Sequence, residues 1–185
     1  MTVGRRGPTG LAAATLFFTL IVAGCGIGAS GPGSATFPPQ SFGPSTGTTA
    51  AVATTRAQIA LALRPLGLAL IDPRVPFRPA ESPRFADAPR AVFQVVLPDD
   101  PSHGFLSVYE FPDPAAAAGA ANEQAAYVAS GPGAVQFPPD SRFVLRQLDT
   151  TVIFFTWSPA NSPDARTAQI QPALETFGIG IAIPR

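Results

Sequence analysis

The sequence predicts an α+β domain: an N-terminal helix followed by two β-hairpin-plus-helix units, with an antiparallel sheet and helices mainly on one face. Three observations predict it. Four short segments rich in β-branched and aromatic residues occur as two pairs, and turn residues separate the members of each pair. A Pro-Asp pair precedes a helix-forming run after each hairpin. Hairpins with helices laid against their sheet also satisfy the rule that each apolar face must be covered.

The N-terminal helix is predicted over residues 55–64. Ile59 and Leu63 lie four residues apart, so they share one helical face. Pro65 and Gly67 follow at once and end the helix. A short strand and a proline-rich, extended crossing come next, at residues 68–71 and 72–90.

Two hairpins supply the four main strands. The first joins residues 91–97 to 105–111, and the second joins residues 143–148 to 151–157. Each hairpin leads into a helix with an aspartate at or near its start, Asp113 before residues 115–130 and Asp164 before residues 165–177. Pro172 should kink or divide the second of these helices, and residues 179–183 should add an edge strand.

The N-terminal segment has the layout of a secretory signal: a basic start with Arg5 and Arg6, an apolar run, and small residues before Cys25. Residues 11–24 are fewer than the roughly 20 apolar residues that span a bilayer, so an uncleaved anchor is the less favoured alternative. The ending Val22, Ala23, Gly24, Cys25 resembles the lipobox of bacterial lipoprotein precursors. That resemblance implies cleavage between Gly24 and Cys25 and a lipid on Cys25.

The rest of the organisation follows from charge and composition. No charged residue occurs between Arg6 and Arg56, and the stretch from Gly26 to Ala53 is rich in glycine, serine, threonine and proline. Such a stretch buries too little apolar area to fold, and it would span about 30 Å r.m.s. as a flexible chain. We therefore expect a signal peptide at 1–24, a disordered tether at 25–53 and one domain at 54–185.

Composition excludes several function classes. Without Arg5 and Arg6, ten arginines face twelve acidic residues, and this near-neutral balance lacks the basic field that nucleic-acid binding needs. The chain has no lysine, one cysteine and one histidine. Schiff-base chemistry, an internal disulfide and a two-histidine metal site are therefore excluded within one chain. We expect no cofactor, no metal and no nucleic-acid partner.

Acidic residues form three weak candidate sites. They are a cation-binding turn (Asp99, Asp100, His103), an acidic recognition loop (Asp140) and a carboxylate pair for acid–base catalysis (Glu110, Asp113). Asp, Pro, Ser and Gly are also the residues that ordinary turns require on conformational grounds. We expect turn chemistry at the first two sites. Glu110 lies in a predicted strand and should point outward, and nothing in the sequence indicates the cleft that catalysis by Glu110 and Asp113 would need.

Aromatic residues on the predicted strands give the better candidate. Strand alternation puts Phe154 and Phe155 on opposite faces of the sheet. If helices shield only one face, Tyr109, Phe154 and Trp157 are candidates for an exposed binding surface. The alternative is that these side chains belong to the core and to cross-strand pairs.

The order of elements over residues 57–178, with a strand at 106–111 running into an alanine-rich helix, is similar to that of a group of small bacterial lipoproteins of unknown function. This resemblance implies compartment and architecture but no activity. We expect a lipid-anchored protein on the extracytoplasmic face of the cell membrane, with a non-catalytic binding or accessory role. Its partners would be the membrane, through the lipid on Cys25, and an envelope protein. A small hydrolase using carboxylate or serine chemistry and a purely structural envelope component are the alternatives.

Overall fold

The computed structural model describes residues 49–184, which form an α+β fold with a six-stranded antiparallel sheet and several helices. The predicted signal peptide at 1–24, its cleavage site at Gly24 and Cys25, and the part of the tether before residue 49 lie outside the described residues.

Two hairpins make up the centre of the sheet. The strand order is β1-β2-β3-β5-β4-β6, and each neighbouring pair is antiparallel. The hairpins meet where β3 lies beside β5, with Leu106 opposite Phe155. The strand bounds are β1 Leu70–Ile71, β2 Arg90–Val95, β3 Phe105–Glu110, β4 Arg142–Leu148, β5 Thr151–Trp157 and β6 Ile179–Gly180. Both edge strands have only two residues, so each edge offers little backbone for pairing with another chain.

The hairpin turns require unusual backbone conformations. Asp149 has φ of 51° in the tight turn between β4 and β5, a conformation that aspartate tolerates better than most residues. Gly104 has φ of 82° just before β3, and a Cβ there would lie 2.6 Å from the Val95 carbonyl oxygen. Only glycine fits this close approach of the turn to β2.

The helices are α1 Ala50–Leu63, α2 Pro83–Asp87, α3 Pro114–Ala129, α4 Gly131–Ala134 and α5 Thr167–Leu174. The first helix begins earlier than residue 55, because Thr49 caps it by accepting a hydrogen bond from the Val52 amide at 3.2 Å. Residues 50–53, predicted as tether, are therefore helical. At the other end of the domain, α5 is shorter than the predicted 165–177, and Pro172 lies inside it. Among residues 49–184, no helix has both the length and the apolarity needed to cross a membrane.

Helices cover both faces of the sheet, so the prediction of helices mainly on one face is wrong. On one face α1 and α5 contribute Ile59, Leu63 and Ile170 to a core that includes strand residues such as Val108 and Phe155. On the other face α2 and α3 bury the strand residues Tyr109 and Phe154. The physical reason is the sequence of the central strands: β3 and β5 are apolar toward both faces, and a sheet of this kind must be covered on both sides.

Candidate functional site

The three aromatic residues predicted as a binding surface do not lie together. Tyr109 and Phe154 are buried, with exposed fractions of 0% and 2%, in the core under α2 and α3. Trp157 points to the opposite face and is half-buried. The alanine-rich surface of α3 lies close against the sheet and excludes water from the first two rings. Tyr109 and Phe154 are therefore core residues, which is the alternative that the sequence left open, and they do not form an exposed binding surface.

Tyr109 is held by a buried carboxylate that the sequence analysis did not single out. Its hydroxyl donates to Glu81 Oε1 at 2.7 Å, and Arg78 Nε donates to Glu81 Oε2 at 2.6 Å. Arg90 also pairs with Glu81, whose side chain is only 2% exposed. Burial, followed by the negative charge of Glu81, raises the pKa of Tyr109 well above its ordinary value. This network ties the proline-rich crossing to β2 and β3.

The acidic turn between β2 and β3 does not gather its three predicted ligands. The His103 ring Nδ1 lies 2.5 Å from Asp100 Oδ1, so these two side chains are paired. The Asp99 carboxylate instead faces Arg166, with its Oδ2 3.5 Å from Nη2. Within residues 49–184, no group of three or more His, Cys, Asp or Glu side chains could hold a metal ion.

Glu110 and Asp113, the predicted carboxylate pair, make separate hydrogen bonds, and each bond has a structural role. Glu110 accepts a hydrogen bond from the Thr49 hydroxyl at 2.8 Å, which joins β3 to the start of α1. Asp113 caps α3 and accepts from the Ala116 amide at 2.8 Å, as the sequence predicts. Both carboxylates therefore fix the positions of helices.

A pocket lies at the end of the sheet where β3 begins and β5 ends. The strand register brings this end of β3 beside the end of β5, and the first residue of β4 beside Trp157. The cavity has a volume of about 240 Å³ and lies between the turn before β3, the loop before β4 and the loop after β5. Loops on a rigid strand scaffold are where binding residues commonly occur.

Four half-buried aromatic rings line this cavity: Phe77, Phe105, Phe137 and Trp157. Phe77 and Phe105 are stacked, with ring centroids 4.4 Å apart and planes 8° apart. Phe77 comes from the proline-rich crossing and Phe137 from the loop before β4. We call this cavity, with its four rings, the aromatic pocket.

Polar groups of the aromatic pocket are small, and two of them are unsatisfied. The indole Nε1 of Trp157 and the hydroxyl of Thr167 are buried and have no hydrogen-bond partner in the part of the chain that the structure describes. The other polar residues of the lining are His103, Thr156, Asn161 and three serines. Buried donors without partners are rare in folded proteins, and each one calls for an explanation.

Two aspartates hold the loop after β5 in place beside the aromatic pocket. Asp140 accepts from the Ser158 hydroxyl and from the Ala160 amide, each at 2.7 Å, and the Ser158 hydrogen bond lowers the pKa of Asp140. Asp164 accepts from the Arg166 guanidinium at 2.6 and 2.8 Å, which holds the pKa of Asp164 well below its usual range. Asp140, a candidate for a recognition loop or for ordinary turn chemistry, therefore fixes the loop after β5 in the structure.

No protein-family model matches this chain, and no curated protein or solved structure is detectably similar to it. The chemistry of the aromatic pocket is therefore the source from which a function can be argued.

Phe77, Phe137 and Thr167 could not be recognised as lining residues from the pattern of the sequence. Both phenylalanines lie next to prolines in segments expected to be loops, between Pro76 and Arg78 and before Pro138. A large apolar residue in such a segment must pack somewhere, and this is the one local signal that could have singled them out. Thr167 carries no such signal.

Proposed function

We propose that this chain is a lipid-anchored protein of the extracytoplasmic face of a cell envelope, and that its folded domain binds a ligand or partner without catalysing a reaction. The anchoring rests on the sequence around Cys25, where small residues follow an apolar run and a basic start. The binding role rests on one structural observation: four half-buried aromatic rings converge on one cavity with unsatisfied polar atoms beside them.

The composition of the aromatic pocket supports binding over hydrolysis. Hydrolysis needs a nucleophile within hydrogen-bond reach of the general base that activates it. His103 is the one titratable side chain that lines the pocket in the described residues; Asp100 engages its Nδ1, and no serine or threonine hydroxyl of the lining is hydrogen-bonded to the ring. Rings and small hydroxyls suit recognition of an uncharged molecule that is largely apolar and carries a polar group.

The finer arrangement of the domain is part of this proposal: an N-terminal helix followed by two hairpin-plus-helix units. The order β2, β3, α3 and then β4, β5, α5 supports it. The two units are not symmetry-related copies, because α3 and α5 cover opposite faces of the sheet. A two-fold axis that related the two units would exchange the antiparallel neighbours β3 and β5, and such an axis runs perpendicular to the sheet. Rotation about it would keep α3 and α5 on the same face of the sheet.

Anchoring is tested by Cys25→Ala in the native host, with Ser30→Ala as a matched control in the same predicted tether. We expect the control to fractionate with membranes and its intact mass to include a diacylglycerol increment. Cys25→Ala should lose that increment and leave the membrane fraction. Retention of the Cys25→Ala protein in washed membranes, or a control mass without the increment, would contradict the proposal.

The accessory role is tested by cross-linking in intact cells followed by mass spectrometry. A reproducible partner at comparable abundance would support an accessory subunit of an envelope complex. If no partner is recovered, the binding role narrows to a soluble ligand.

A further inference from the structure

We propose that the aromatic pocket binds a small, uncharged, ring-bearing molecule that carries a hydrogen-bond acceptor. The inference rests on the binding role proposed above and names the class of ligand at that site. Three properties of the pocket select this class: its rings, its unsatisfied donors, and its charge and size.

The rings select an aromatic ligand. Phe77 and Phe105 already stack in parallel at 4.4 Å, which shows that flat groups fit face to face at this end of the sheet. Trp157 and Phe137 are also half-buried and offer further ring surface. A ligand ring would remove that surface from water and add the offset or edge contacts that aromatic pairs prefer.

The unsatisfied polar atoms select an acceptor. An indole N–H can only donate, so the group that satisfies Trp157 must accept. The Thr167 hydroxyl is also buried and unpartnered in the same lining, and it too can donate to an acceptor. A carbonyl, amide or ether oxygen on the ligand would meet this requirement, whereas a plain hydrocarbon would leave both atoms unsatisfied.

Charge and size select a neutral molecule with a single ring. In the described part of the chain, no arginine, aspartate or glutamate side chain lines the pocket, and the one histidine of the lining, His103, is already paired with Asp100. A charged ligand would therefore lose its hydration without gaining a counter-charge. The volume of about 240 Å³ lies below the roughly 300–1,000 Å³ of pockets that hold drug-sized molecules, so one ring with a short substituent fits best.

The chain itself provides the reporter for a test, because Trp157 is its sole tryptophan. Benzamide, a neutral ring with a carbonyl acceptor, is titrated into the full-length protein in dodecyl maltoside while tryptophan fluorescence is followed. We expect a saturable change and, in a ¹⁵N spectrum, a shift of the single indole N–H resonance. Absence of a saturable change up to about 10 mM, the range for weak single-ring fragments, would overturn the inference.

Matched probes separate the three properties. Cyclohexanecarboxamide keeps the acceptor without the aromatic ring, toluene keeps the ring without the acceptor, and benzoate adds a charge. We expect cyclohexanecarboxamide and toluene to bind about three- to tenfold more weakly than benzamide, the loss that corresponds to one aromatic contact or one neutral hydrogen bond. We expect benzoate to bind more weakly as well, because its charge must lose hydration. Equal binding of all four would indicate a nonspecific apolar cavity and would overturn the inference.

Variants place the binding in the pocket. Phe105→Leu removes a lining ring, and Phe111→Leu makes the same change at a half-buried phenylalanine that does not line the pocket. We expect benzamide affinity to fall about tenfold in the first variant and to stay unchanged in the second. If Phe105→Leu fails to fold, Thr167→Val carries the test, with an expected loss of about threefold. Unchanged affinity in the folded pocket variant would overturn the assignment.

The outcome is independent of anchoring when wild type and Cys25→Ala are titrated in parallel. Binding by both proteins, with Cys25→Ala still in membranes, would support the pocket and contradict the anchor. If Cys25→Ala leaves the membrane fraction and neither protein binds benzamide, the result supports lipid anchoring at Cys25 and overturns the proposed ligand of the aromatic pocket.

Discussion

Tyr109→Phe tests whether the aromatic residues of β3 and β5 belong to the core. The substitution removes one hydroxyl and leaves the ring, so it changes the hydrogen bond to Glu81 and little else. If Tyr109 were part of an exposed surface, this change would have no measurable effect on the free energy of unfolding. Because its side chain is fully buried, we expect a clear loss.

The size of the loss follows from the contacts. A hydrogen bond to a charged group contributes about 1.5–3 kcal/mol. Glu81 keeps Arg78 and Arg90 after the substitution, so its charge is not left unpaired, and the lower half of that range applies. We expect Tyr109→Phe to cost about 2 kcal/mol, or roughly 6–10 °C in Tm for a domain of this length.

The assay is urea unfolding of the full-length protein followed by circular dichroism, with Tyr127→Phe as the control. Tyr127 is the other tyrosine of the chain, is half-buried on α3, and makes no side-chain hydrogen bond within the described residues. We expect Tyr127→Phe to stay within about 0.5 kcal/mol of wild type. If Tyr109→Phe loses no more stability than the control, the hydrogen bond to Glu81 adds no stability and the reasoning is refuted.

Wild type and Tyr109→Phe also give a test by pH. A free tyrosine has a pKa of about 10. Burial raises the pKa of Tyr109 in the folded state, so the folded form keeps a proton that the unfolded chain loses above that pH. The contribution of the protonated Tyr109 hydroxyl to the free energy of unfolding is therefore complete below about pH 10, and it is lost as the pH rises toward the folded pKa. We expect the stability difference between wild type and Tyr109→Phe to be constant up to that pH and to narrow above it.

Three further predictions concern the turns, a helix cap and the loop beside the aromatic pocket. Gly104→Ala should cost at least about 1 kcal/mol more than Gly67→Ala in urea unfolding, because both have positive φ but only Gly104 faces a main-chain oxygen at 2.6 Å; equal costs would contradict this. Asp113→Ala should lose about 1 kcal/mol through its helix cap, whereas Asp113→Asn should keep most of it. Asp164 has a lowered pKa in the folded state, chiefly through hydrogen bonds from Arg166, so its contribution is present above its ordinary pKa and is lost as the pH falls below about 4. Asp164→Asn should therefore flatten the acid limb of the stability curve between pH 5 and 2, and an unchanged limb would count against this role.

The strands could be predicted from the sequence because their signal is local. Alternation in residues 151–157 puts Phe154 and Phe155 on opposite faces, and the structure confirms it by placing them in different core clusters. The cover of those faces is not local. Nothing in the alanine-rich run of α3 states which face it will take, and the hydrophobic face of α1 could have joined the same side. The two-sided cover could have been inferred only by asking what shields each of two apolar faces.

The aromatic pocket could not be predicted for a related reason. Its rings come from positions 77, 105, 137 and 157, and only the pairing of β3 with β5 and of β5 with β4 brings them to one end of the sheet. The hairpin turns can be read locally from the sequence, but they do not show that these four positions come together. The acidic residues were visible in the sequence, but their roles depend on partners far along the chain, as with Asp99 and Arg166, 67 positions apart.

The shape of the aromatic pocket depends on the two aspartates that fix its loop as much as on its rings. Asp140 accepts hydrogen bonds from Ser158 and Ala160 at the start of the loop after β5. Asp164 lies near the end of that loop and also accepts a hydrogen bond from the Asp99 amide at 3.2 Å. Both carboxyls have lowered pKa values, so both remain ionised and bonded near neutral pH. A wall fixed in this way has few conformations left to lose on binding, which favours affinity for a small ligand that makes few contacts. The carboxylates of Asp140 and Asp164 are not part of the lining, so they can stabilise the loop without placing a negative charge in the pocket.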